Sequence, residues 1–286
     1  MAGGRAITWQ VMENIPGSSE ENGMYLDQKF GEQLRDWRQR RRLSQLDLAS
    51  EAELSTRHLS FVETGRAKPS RDMVMRLSEA LELPLRSRNE LLIAAGFAPS
   101  FPERPLDGAS QSEARLLVQR ILDAHMPFPA IAVDRHWHLA ARNLAAGALM
   151  AGIAPHLLEP PVNVLRISLH PEGLAPRIAN LAEWKRHILE RLRHQVSQSG
   201  DPVLEELTDE LRSYPAPASK MPASDGNALI AVPLILNSPV GTLSFISTTT
   251  VFGTPVEVTL SELAIESFFP ADSETAERLR ALAEAL

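Results

Sequence analysis

The residues with types and spacing suited to chemistry cluster between Gln45 and Lys68 of this 286-residue chain. Thr56, Arg57, Ser60 and Phe61 follow Ser55 in a run where Leu59 and Val62 are spaced to face inward, which leaves those four on an outer face. An arginine there can pair bidentately with guanine O6 and N7, or with a phosphate alone. Ser44 and Ser55 are placed to cap two short helices. The first carries Gln45 and an apolar face of Leu46, Leu48 and Ala49; the second stops at Gly65. With a break over residues 52–54, the pattern is two helices joined by a tight turn, whose second helix fits the DNA major groove.

Other constellations are thinner. His136 and His138, two apart, share a face if they lie on a strand and could ligate a metal. No third ligand is evident nearby, so they read as a hairpin surface pair and no metal site is expected. Ser168, His170 and Glu172 have the types of a nucleophile, a base and an acid, but no nucleophile elbow or oxyanion glycines accompany them. They read as a structural loop, with His170-Pro171-Glu172-Gly173 capping a helix that begins near Leu174. Zero cysteines remove disulfides, thiolate metal sites and cysteine nucleophiles. No catalytic residue is expected, and the protein reads as a non-enzyme.

The net charge of −7 looks wrong for a nucleic-acid binder until it is divided. Residues 28–97 hold 13 Lys+Arg against 10 Asp+Glu, and residues 98–286 hold 15 against 22. Arg35, Arg38, Arg40, Arg41, Arg42, Arg57, Arg66, Lys68 and Arg71 flank the second helix, where phosphate contacts would be needed. Hydrophobic content of 44% suffices for packed cores. No apolar run is long enough to span a bilayer and the N-terminus lacks a signal-peptide pattern, so a cytoplasmic protein with no membrane partner is expected.

Four segments follow from composition and periodicity: a flexible tail over 1–26, a helical domain over 27–98, a proline-rich linker over 99–112 and a second domain over 113–286. Phe30, Leu34 and Trp37 predict a first helix from about Asp27 to Arg41 with Trp37 in the core. Ser70 caps a helix bearing Met73, Val74, Leu77 and Leu81 on one face, and another runs from Pro84 to Ala95. In the second domain, helices are predicted over 113–125, 143–150, 161–169, 174–194, 201–212 and 273–286. Strands are predicted over 130–133 and 137–141 as a hairpin, 229–236 and 241–250 as a pair turned by Asn237-Ser238-Pro239, and 256–260 as a short edge.

Gln45, Ala49, Leu54 and the Glu63-Thr64-Gly65 exit before Pro69-Ser70 resemble the Xre/Cro-like helix-turn-helix regulators, across about 30–97. The resemblance implies an all-α, lambda-repressor-like domain that binds double-stranded DNA. It implies that Gln45 contacts the backbone and that Ser55, Thr56, Arg57, Ser60 and Phe61 lie at the reading surface, with Arg66 and Lys68 beside it. Phe61 departs from the usual polar residue there, and either touches a thymine methyl or packs.

Three further sets of motifs resemble the MmyB-like regulators across nearly all of 113–286. They are Pro127-Phe128-Pro129-Ala130 through Asn143; Leu169-His170-Pro171-Glu172-Gly173-Leu174 with Ala182-Glu183-Trp184; and Phe252-Gly253-Thr254-Pro255-Val256 with the run from Glu262 to Asp272. The resemblance implies an α+β, PAS-like ligand-binding domain and a small apolar effector such as a non-covalent fatty acid, with no other cofactor; a homodimer is expected because helix-turn-helix proteins take paired half-sites. Candidate pocket residues are Phe128, Val133, Trp137, Leu139, Arg142, Trp184, Ile188, Leu234 and Phe245, with Arg142, Arg166 and Arg177 as partners for a carboxylate. The alternative is a regulator whose second domain only dimerises or contacts protein partners.

Overall fold

The computed structural model describes residues 19–103, 112–217, 232–253 and 255–285. It divides into two compact units, Met1–Ser100 and Phe101–Leu286. Residues 1–18 of the expected tail, 104–111 of the expected linker, the loop from 218, the strand start at 229 and Leu286 lie outside the described residues.

Among the described residues the first unit has five helices: α1 (Ser19–Arg40), α2 (Gln45–Glu51), α3 (Thr56–Glu63), α4 (Arg71–Ala80) and α5 (Leu85–Ala94). Helix α1 starts eight residues before the expected Asp27. Ser44, Ser55 and Ser70 accept backbone N–H groups at the starts of α2, α3 and α4, and Ser44 with Asp47 completes a capping box. Phe30, Leu34, Leu48, Leu59, Val62, Val74, Leu77 and Leu92 form the core. Leu46, expected on the apolar face of α2, is instead 66% exposed on its outer side. Trp37 packs against the core, but is only partly buried, with Arg40 over its ring at 5.4 Å. Gly31 lets α1 run against the end of α3, since a Cβ there would stand 2.5 Å from the Glu63 carbonyl oxygen.

Among the described residues the second unit is an antiparallel five-stranded sheet with helices on both faces. Its strands are β1 (Ala130–Val133), β2 (Leu139–Arg142), β3 (Leu234–Ser238), β4 (Gly241–Val251) and β5 (Ala264–Pro270), in the order β2-β1-β5-β4-β3. The central strand β5 was not predicted. The expected edge strand at 256–260 is instead a short helix, α11 (Val258–Ser261), which precedes it. Alternate residues of β1 serve two cores: Ile131 and Val133 join one, Ala130 and Ala132 the other. That double burial explains why β1 reads as an unbroken apolar run.

The remaining helices are α6 (Ser112–Ala124), α7 (Leu144–Leu149), α8 (Val164–Leu169), α9 (Leu181–Ser199), α10 (Pro202–Ser213) and α12 (Ser273–Glu284). Helix α8 begins at its cap Asn163 rather than at residue 161, because Asn163 takes the N–H groups of Leu165 and Arg166. The long helix expected from Leu174 begins at Leu181. Residues 175–177 make a separate 3-10 turn, and Ile178 bridges to Leu236 of β3. The His170–Gly173 segment therefore caps no long helix. On α6 only Val118 and Leu122 are buried, whereas Leu116, Leu117 and Ile121 face outward.

Candidate nucleic-acid interface and apolar cavity

In the first unit, α2 and α3 meet across a tight turn that Glu53 closes with a left-handed φ of 54°. The turn is fixed by the Leu54 N–H donating to the Ala49 carbonyl at 2.8 Å. Leu59 and Val62 seal the inner face of α3; Thr56 and Arg57 stand exposed, and Ser60 and Phe61 half-exposed, on the outer one. The Arg57 guanidinium lies 5.4 Å over the Phe61 ring. Phe61 therefore carries Arg57 on its face, the packing role of the two expected for it. Ser55 spends its hydroxyl on the His58 N–H, at 3.2 Å, and so works as the cap of the helix.

The geometry of this surface is set by a buried charge. Glu63 is fully buried and accepts Arg38 Nε at 2.6 Å and Nη2 at 3.1 Å, and Gln45 Nε2 at 2.7 Å. Arg35 adds a longer contact at 3.7 Å. Gln45 thus ties the start of α2 to the end of α3. Several of the flanking cations are committed elsewhere, against the expectation of phosphate contact. Arg38 holds Glu63 and the Leu43 carbonyl, Arg41 donates to the Leu81 and Glu82 carbonyls, and Arg71 holds the Ala98 carbonyl and Ser100. Arg42, Arg57, Arg66 and Lys68 are exposed.

In the second unit, a cavity of about 110 Å³ lies between the sheet, α7, α8 and α9. Ile131, Trp137, Leu165, Trp184, Ile188, Leu234 and Phe245 are among its apolar walls, and Ser168 also lines it. Trp137, Trp184, Ile188, Leu234 and Phe245 were anticipated from sequence; Phe128, Val133, Leu139 and Arg142 do not line it. Phe128 and Leu139 pack against the core from outside, Val133 is sealed within it, and Arg142 is exposed, its guanidinium 3.7 Å from Met150 Sδ. The other two arginines proposed for a carboxylate are also occupied. Arg166 holds Glu210 with two nitrogens, and Arg177 donates to the Leu149, Ala151 and Asn237 carbonyls.

The polar end of the cavity is made by residues that sequence reading missed: Arg191, Glu266, His187 and Ser247. Arg191 donates to both oxygens of the buried Glu266, at 2.6 and 3.2 Å, and lies 4.4 Å over the Trp137 ring. Thr249 donates to the same carboxylate at 2.7 Å. Burial, and then the Arg191 charge, push His187 below its ordinary pKa despite Glu266 and Glu190, so its ring is neutral near pH 7. Arg191 was legible, since it stands three residues after Ile188 and seven after Trp184 on one face of a helix. Glu266 was not, because the strand bearing it was missed.

Trp137 reaches the cavity from an unusual backbone position, with φ of 66° in the turn between β1 and β2. A bulky residue there is strained by roughly 1–3 kcal/mol. Its indole N–H donates to Gln195 at 3.0 Å, which anchors the ring against α9. Ser168, considered as a nucleophile, accepts the Trp184 indole N–H at 3.0 Å, while His170 Nδ1 accepts the Glu172 N–H at 3.1 Å.

A capped, exposed second helix on a packed helical unit defines a helix-turn-helix DNA-binding protein, and residues 29–91 match the helix-turn-helix domain model. Residues 114–282 match the model of the MmyB-like transcription regulator ligand binding domain. The chain therefore belongs to the MmyB-like transcription regulators. It is similar at 32% identity to the restriction-modification controller protein C.AhdI from Aeromonas hydrophila, over 22% of this chain and 94% of that one, with a TM-score of 0.21. It is similar at 28% identity to the clp gene regulator ClgR from C. glutamicum, over 25% of this chain and 88% of that one, with a TM-score of 0.22. No curated protein matches. No helix among the described residues is long and apolar enough to cross a membrane.

Proposed function

We propose that this regulator is a cytoplasmic, non-enzymatic homodimer that reads a near-palindromic operator and takes a small apolar effector in its second unit, a fatty acid being the first candidate. Dimeric helix-turn-helix proteins place their reading helices about 34 Å apart on successive major-groove turns. Arg57 reads a guanine in each half-site, a contact worth about 1–3 kcal/mol of discrimination.

The observation that carries the effector reading is the cavity, apolar along its walls and polar at the Arg191–Glu266 end. Its volume of about 110 Å³ also bears on mechanism. A dry apolar cavity of about 150 Å³ holds benzene. An acyl chain therefore needs walls that yield, and it binds an enlarged form of the unit better than the form with the small cavity. Such a difference in affinity is what an effector requires to shift a conformational equilibrium. The exposed Leu116, Leu117 and Ile121 on α6 favour a second reading, in which the unit serves dimerisation alone.

Native mass spectrometry of the full chain, with fluorescence anisotropy on DNA with and without dodecanoate, separates the two. A bound lipid and a shifted DNA affinity support the effector reading. A bare dimer whose DNA affinity ignores fatty acids overturns it.

A further inference from the structure

Beside Trp137, but outside the cavity, the β1–β2 turn gathers side chains that neither DNA reading nor the effector reading uses. We propose that Asp134, His136 and His138 form a binding site for a divalent transition-metal ion, with Zn²⁺ the best fit to two imidazoles and one carboxylate. One ligand atom from each residue lies within 4.8 Å of the other two. Tetrahedral zinc with bonds of about 2.0–2.1 Å sets neighbouring ligand atoms roughly 3.3 Å apart. His138 Nδ1 already stands 3.0 Å from Asp134 Oδ2, so closing around an ion needs only a small adjustment there.

The turn is fixed before any ion arrives. Asp134 Oδ1 accepts the backbone N–H groups of His136 and His138, each at 2.8 Å, which leaves Oδ2 for a metal. The His136 carbonyl accepts the side chain of the buried Asn163 at 2.9 Å. His136 Nε2 lies 2.9 Å from Asp201 Oδ2, and an outer carboxylate of this kind orients the ring of a metal-bound histidine. The nearby cation, Arg135, lies 3.9 Å from Asp201 and 3.8 Å from Glu262, which balance its charge. All three proposed ligands are half-exposed, so the ion enters from solvent and water completes its shell. Sequence reading paired the two histidines by a strand's spacing and put Asp134 in the hairpin turn, but found no third ligand. The turn instead brings Asp134 round to His138.

A second cluster supplies the control. His156, His170 and Glu172 also converge, but His156 and Glu172 are exposed, and His170 Nδ1 already accepts a backbone N–H. The test uses the tag-free full chain, stripped with a chelator and titrated with Zn²⁺ by calorimetry and with Co²⁺ by visible absorption. Saturable binding is expected that is lost in the His136→Ala/His138→Ala double variant and kept in His156→Ala. Asp201 also caps α10, where its Oδ1 accepts the Val203 N–H; Asp201→Asn retains that cap, because asparagine caps equally well, and should weaken binding about 10–100-fold. Asp134→Asn keeps the Oδ1 acceptor of the turn but loses the anionic ligand, so it decides the matter even if the double variant does not fold. The proposal is overturned by no saturable binding in the wild type, by wild-type affinity in the double variant, or by wild-type affinity in Asp134→Asn.

Discussion

Each unit of this regulator buries a glutamate against an arginine, and the two pairs serve opposite ends. Glu63 is enclosed by Arg38, Arg35 and Gln45, so its contacts join α1, α2 and α3 into one rigid reading head. Glu266 is held by Arg191 and Thr249 with almost the same distances, yet this pair lines a cavity. The difference lies in the surroundings. In a packed wall, a buried ion pair can only fix geometry, because nothing else can reach either partner. Beside a void, the arginine keeps a side that a ligand carboxylate can approach.

The sharpest break of this comparison is Glu63→Ala. Removing one partner of a buried pair costs about 3–5 kcal/mol, since the other charge is left uncompensated. Hydrogen exchange should show α1 to α3 opening while the second unit keeps its protection, and DNA binding should fall with them. Equal protection in both units would deny the clamp. Glu266→Gln is expected to do the reverse at the cavity. It leaves Arg191 without its counter-charge, so dodecanoate should bind tighter by about 1.5–3 kcal/mol, the worth of a hydrogen bond to a charged group. Weaker dodecanoate binding would take Arg191 out of the effector site.

Smaller effects sharpen the contrast. Ser55→Ala removes the cap of α3 and should cost about 1 kcal/mol in urea unfolding of the first unit, with no change in dodecanoate binding. The second unit should respond to mild acid through His187. Its folded pKa lies below the ordinary value of about 6.5, so the unfolded chain takes up the proton first as pH falls. Stability should therefore decline on acidification from about pH 6.5, before the carboxylates titrate, and His187→Gln should flatten that part of the melting-temperature profile. Glu210 adds a second loss at lower pH: burial raises its pKa, but hydrogen bonds from Arg166 and Tyr214 outweigh it and hold the carboxyl below its usual range.

The same contrast explains what could be read from the chain. The reading head is local: caps at Ser44 and Ser55, apolar spacing at Leu59 and Val62 and the stop at Gly65 lie within about two dozen residues, so periodicity alone recovers it. Its internal clamp is not local. Arg38 and Glu63 are 25 residues apart, and a charged surface and a buried pair look alike in sequence. In the second unit, the apolar walls from Trp137, Trp184 and Phe245 were legible as strand and helix faces. The central strand β5 was hidden because Ala264–Pro270 mixes Glu, Ser and Phe without alternation, and one of its pairing partners, β1, is distant in sequence. Glu266 and the polar end of the cavity were lost with it.

The most direct test of the account is selection of DNA sequences from a random pool by the full chain, repeated with Arg57→Ala. The account predicts a near-palindromic motif for the wild type and, for the variant, lost preference at one base pair in each half-site with the rest retained. An identical motif from both proteins, merely bound more weakly by the variant, would contradict it.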